Sequence, residues 1–191
     1  MNDASSRTHE YAILIPDEVW GRTATYLEAV QADASRLGNR LAARLQGRAP
    51  PDITLENFLG ELFETKKPQC FAEGEVHGDR TDWNLTELGL LGDISVAVPV
   101  TVFDDGRHGG PSVHQPPFSG TLVYTPGAVL RNGQSKTPAD WHAVVAADGS
   151  ICDEAYDTLY RRRLLPVFAY VNERTRGPRS AFLTIPGLGC G

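Results

Sequence analysis

Ser180-Ala181-Phe182-Leu183-Thr184-Ile185-Pro186-Gly187-Leu188-Gly189-Cys190-Gly191 reads as a buried strand running into a glycine loop. Five of its first six residues are apolar or β-branched, which suits a strand covered on both faces. Gly187, Gly189 and Gly191 let the backbone turn sharply and approach a ligand closely. Such loops favour phosphate, because unpaired backbone N–H groups converge on its oxygens, usually with a helix N-terminus behind them. The chain stops at Gly191, before such a helix. Taken alone, the pattern is also that of a plain turn, since turns collect glycine.

The residues before this stretch give it a setting. Asp153 caps a long helix reaching about Asn172, with Tyr156, Leu159, Tyr160, Leu164, Val167, Phe168 and Val171 as its apolar stripe. Pro166 should kink that helix. Arg161, Arg162 and Arg163 lie across it; three consecutive helical residues point in different directions, which argues against one shared acidic partner. Gly177-Pro178 ends the unit. Helix, short loop, buried strand and glycine loop make an α/β half-unit, and residues 121–124 and 96–102 are the expected neighbours of the strand.

Further back, Tyr11 to Ile15 is a short strand or an apolar entry segment. From Asp17 the pattern turns helical, with Trp20, Tyr26, Leu27, Val30, Leu37, Leu41 and Leu45 on one face and a possible break at Gly38. Arg36, Arg40, Arg44 and Arg48 form a neighbouring stripe that reads as a solvated helix face. Thr54 caps a second helix that buries Phe58, Leu59, Leu62 and Phe63. Glu75, His77 and Asp79 alternate, so an extended segment would carry all three on one face; one such triplet is better read as a solvated loop than as a metal site. Residues 94–103 are β-rich but contain Pro99, which predicts an edge strand or two short strands with a bend. They lead into Asp104-Asp105-Gly106-Arg107-His108-Gly109-Gly110, a dense group of acid, base and glycine that also reads as a hairpin turn. Thr125-Pro126-Gly127 closes the strand at 121–124, and the turn after a buried α/β strand commonly faces a ligand cleft. Thr137-Pro138-Ala139-Asp140 signals a helix start.

At 191 residues the chain is long enough for one domain with a real core, and its 41% hydrophobic and 22% charged residues are ordinary for a soluble protein. No apolar run approaches the roughly 20 residues of a bilayer span, and no signal peptide is recognisable. A cytoplasmic protein without membrane partners is expected. The formal net charge of −6 argues against a general nucleic-acid binder. Cys70, Cys152 and Cys190 lack paired spacing, so neither a zinc site nor a disulfide framework is expected.

The long helix followed by residues 181–191 resembles the macrodomain superfamily. Residues 123–128, 137–141 and the loop at 185–191 are similar to its MavL-like branch. The resemblance implies a three-layer α/β/α fold with a mixed sheet, here with a helical N-terminal extension over residues 1–50, a macrodomain-like domain over 51–191 and a C-terminal part not included. It implies that ADP-ribose is the ligand, with its diphosphate on the glycine loop, and that the complete protein removes ADP-ribose from arginine on a protein such as ubiquitin. Neither a cofactor nor a metal is implied. The Asn-Ala-Asn and triple-glycine signatures of other macrodomains are absent, Gly109-Gly110 being the nearest approach. In the branch the catalytic acids follow the glycine loop, beyond Gly191. The expected ligand-binding residues are therefore Thr125, Pro126, Gly127, Gly187, Leu188, Gly189, Cys190 and Gly191, with Asp104 and Asp105 as the candidate catalytic carboxylates within this chain.

Two alternatives stay open. A non-catalytic reader would bind ADP-ribose or an ADP-ribosylated protein without turnover. A thiol hydrolase would use Cys190 with His77, His108 or His114, although Gly189, not Cys190, takes the central place of a nucleophile elbow spanning 187–191.

Overall fold

The valine-rich run after Ile94 folds as β2 (Ser95–Val102), the middle strand of an antiparallel sheet whose other members are β1 (Ala12–Leu14) and β3 (Phe118–Tyr124). The structure is a computed structural model that describes residues 11–65, 82–103, 116–130, 137–175 and 180–185. β1 pairs with β2 only from Ser95 to Ala97, whereas β3 follows β2 through Val102. Pro99, opposite Thr121, thus lies beyond the end of β1, where β2 has one neighbour. The expected edge character holds locally, which is why a residue without an N–H is tolerated in a central strand.

The alternation of β2 separates two layers of helix. Val96 and Val98 join a core with α1 (Asp17–Ala32), α2 (Asn39–Arg44), α3 (Leu55–Glu64) and α4 (Leu85–Gly92). On the opposite face Ala97, Leu14 and Val123 pack against Val167 and Tyr170 of α6 (Asp153–Arg174). A short α5 (Trp141–Val144) lies beside α6. The result is helix, sheet, helix, an α/β architecture whose described strands are all paired antiparallel.

Local chemistry accounts for the helix boundaries. The break read at Gly38 is present: a 3₁₀ turn (Ala34–Arg36) separates α1 from α2. The Gly38 N–H donates to Glu87 Oε1 at 2.8 Å, and a Cβ there would collide with the Glu87 carboxylate. Thr54 accepts the Asn57 N–H and caps α3 as expected. Asn84 and Glu87 form a reciprocal capping box on α4. α6 takes Cys152 as its N-cap, one residue before the expected Asp153, which instead joins Glu154 in the acidic first turn. Pro166 lies within that helix.

Two expectations are corrected. No strand forms over residues 180–185, which are irregular; Phe182 is 96% exposed, and Leu183 and Ile185 are exposed as well. Of its two expected partners, β2 is paired on both sides, by β1 and β3, and residues 180–185 do not join the outer edge of β3. Without a ladder, these apolar side chains are not packed against any of the described residues closely enough to be buried. The helix expected from Thr137 starts only at Trp141, after a turn at residues 139–140, and Asp140 at its N-cap directs its carboxylate to the Val129 N–H and Arg163 instead of capping the helix.

Candidate functional site

β3 delivers the chain into Thr125, Pro126, Gly127, Ala128 and Val129, and side chains from three other elements grip this loop. The Thr125 hydroxyl accepts from Ser95 Oγ on β2 at 3.2 Å. Arg163 Nη1 donates to the Gly127 carbonyl at 2.7 Å, and Tyr160 Oη accepts the Ala128 N–H at 3.1 Å. Asp140 Oδ2 accepts the Val129 N–H at 2.8 Å, while the Asp140 N–H returns a bond to the Val129 carbonyl at 3.3 Å. Loop backbone that would otherwise need water is held by side chains, which is how an irregular segment becomes rigid.

Arg163 makes this possible because its planar guanidinium directs several donors at once. It is only 1% exposed. Nε donates to Asp93 Oδ1 at 3.0 Å and Nη2 to Asp140 Oδ1 at 2.8 Å. Asp93, equally buried at the C-terminal end of α4, also receives Arg22 Nη1 at 2.7 Å. Arg162 Nη2 donates to Asp93 Oδ1 at 3.3 Å while its Nε lies 3.0 Å from Asp93 Oδ2 without hydrogen-bond alignment, and Glu18 stands 3.6 Å from Arg162 Nη1. Three arginines thus face three acids, and no buried charge is left uncompensated. Gly92 leaves the necessary space, since a Cβ there would lie 2.9 Å from Arg163 Nη2.

Of the ligand-binding residues expected from sequence, Thr125, Pro126 and Gly127 are brought into this constellation. Gly187, Leu188, Gly189, Cys190 and Gly191 lie outside the described residues, as do Asp104, Asp105, the Glu75-His77-Asp79 triplet, His108 and His114. Sequence reasoning did not find the roles of Asp93, Asp140, Tyr160 and Arg163. A signal existed: Arg163 falls three residues after Tyr160 and four before Val167, on the buried stripe of α6. The other helix stripe was read correctly, for Arg40 and Arg44 form surface pairs with Asp82 and Glu61.

Away from the loop, a groove of about 350 Å³ runs along the start of α6, lined by Ala143, Cys152, Ala155, Thr158, Leu159 and Arg162, with Glu154 at its side. The half-buried Cys152 thiol points to Glu154 Oε2 at 3.4 Å. Among the described residues no group of three His, Cys, Asp or Glu side chains is placed to hold a metal, and no helix is long and apolar enough to cross a membrane.

Helices on both faces of a sheet, with a strand-to-loop turn clamped by buried charge, define an α/β domain. The chain belongs to the macrodomain effector MavL family, which it matches over residues 11–191. No curated protein matches it. Membership of a macrodomain family points to ADP-ribose as the ligand class.

Proposed function

We propose that this protein binds ADP-ribose and, in its hydrolytic form, releases it from modified arginine on a protein such as ubiquitin. The family match over residues 11–191 carries this reading. The loop at 125–127 would form one wall of the cleft and the glycine loop at 187–191 the diphosphate cradle, where preorganised N–H donors meet charge without rearranging. Ligand handling then falls within residues 51–191, onto which β1, α1 and α2 from the first 50 residues pack as part of the same sheet and core. Hydrolysis breaks the bond between the anomeric ribose carbon and the arginine nitrogen: water adds to the carbon, and the guanidine leaves with a proton. A carboxylate is needed to orient that water or to supply the proton, and Asp104 and Asp105 are the residues proposed for it.

One observation favours a second reading, a binder without turnover. The two carboxylates packed around the loop, Asp93 and Asp140, are both committed to arginines. Calorimetric titration with ADP-ribose tests binding in both cases: saturable heat is expected, and none at millimolar ligand would defeat both readings. Release of ADP-ribose from arginine-modified ubiquitin then separates them, with loss of release in Asp104→Asn or Asp105→Asn marking the carboxylate in use.

A further inference from the structure

We infer that Arg163 is a positioning residue, one that fixes the backbone of the 125–129 loop for ligand through a relay from Asp93 to Asp140. The inference deepens the ADP-ribose reading and rests on it for its ligand. Its own support is geometric. A buried arginine in an α/β core needs a reason, since packed apolar residues of similar volume stabilise such a position as well or better. What an apolar residue cannot do is hold a carbonyl in a chosen direction. Arg163 spends its three nitrogens on Asp93, Asp140 and the Gly127 carbonyl, at 3.0, 2.8 and 2.7 Å. Asp140 then uses its second oxygen on the Val129 N–H, so one guanidinium governs the loop both directly and through a carboxylate. Tyr160, one turn earlier on α6, takes the intervening Ala128 N–H. Three successive loop residues are thus set by two side chains of α6 and one beside α5, while Asp93 ties Arg163 to the end of α4. Arg163 has no exposed donor to offer a ligand, so it acts through the loop.

Arg163→Lys retains the charge but loses the fork, and cannot serve three acceptors in these directions. The comparison variant is Leu41→Ala, a fully buried change in α2, in the core on the opposite face of the sheet from α6. The expected result is that Arg163→Lys weakens ADP-ribose binding by on the order of tenfold to a hundredfold. Leu41→Ala, even with an equal or larger fall in melting temperature, binds as wild type does. Amide hydrogen exchange provides the readout without ligand: Ala128 and Val129 should lose protection in Arg163→Lys and keep it in Leu41→Ala. Wild-type affinity in Arg163→Lys, or equal weakening in both variants, overturns the inference. If wild type itself gives no heat with ADP-ribose, the ligand reading fails; exchange alone then decides the positioning role, and unchanged Ala128 and Val129 protection in Arg163→Lys rejects it.

Discussion

Tyr26 shows how one side chain can carry a pH dependence. Its hydroxyl donates to Glu87 Oε1 at 2.7 Å and receives Asn84 Nδ2 at 2.8 Å in the core between α1 and α4. Burial, reinforced by the bond to Glu87, pushes its pKa well above the ordinary 10.0. The folded state therefore keeps a proton that the unfolded chain gives up. The associated stability is complete below pH 10.0 and declines as pH rises through the folded value. Tyr26→Phe should flatten the alkaline limb of a denaturation series, and an unchanged limb would refute the assignment. Asp148 runs the other way: the side-chain hydroxyl and then the backbone N–H of Ser150 hold its carboxyl below the ordinary 3.8. Its contribution is present above that value and is lost as pH falls through the lowered one. In Ser150→Ala the Asp148 titration followed by NMR should move upward.

At the scale of elements, caps and close approaches set boundaries that can be tested one by one. Asn84 closes the α4 capping box and also donates to the Arg36 carbonyl, so Asn84→Ala should cost about 1–2 kcal/mol in chemical denaturation. Gly38→Ala should cost about 1–3 kcal/mol, because the added methyl must displace a buried carboxylate. A neutral result for either would mean that the α2–α4 junction yields more readily than its packing suggests. These elements were legible in the sequence because each announces itself locally: four-residue apolar spacing in α1 and α3, a threonine before α3, a glycine at the break. The terminal run failed for the opposite reason. Phe182, Leu183 and Ile185 have strand character, but a strand exists only where a ladder forms: β2 is paired on both sides, residues 180–185 do not join the outer edge of β3, and composition reveals neither fact. Half of the loop site was visible, through its position after a strand. The charged half was not, because Arg163 finds Asp93 and Asp140 at separations of 70 and 23 residues. An arginine triplet on a helix otherwise reads as surface.

For the whole molecule, the acidic balance of −6 predicts no shift of duplex or single-stranded nucleic acid at physiological salt in a gel assay. More depends on how the layers are joined. Arg22 belongs to the helices on one face of the sheet and Arg163 to the helix on the other, and both end on Asp93, where α4 hands the chain to β2. Removing that carboxylate in Asp93→Ala leaves the buried Arg163 paired with Asp140 but short of its second acid, takes the shared acceptor from Arg22 and Arg162, and should cost about 3 kcal/mol. The consequence reaches beyond strength to cooperativity. With a shared anchor, neither helical layer can peel from the sheet without costing the other an ion pair, so partial opening is penalised and all-or-none melting is expected. Trp83 reports from one layer and Trp141 from the other; as single-tryptophan probes they should trace coincident transitions. In Asp93→Asn the two curves should separate, the fold then behaving as two loosely coupled halves.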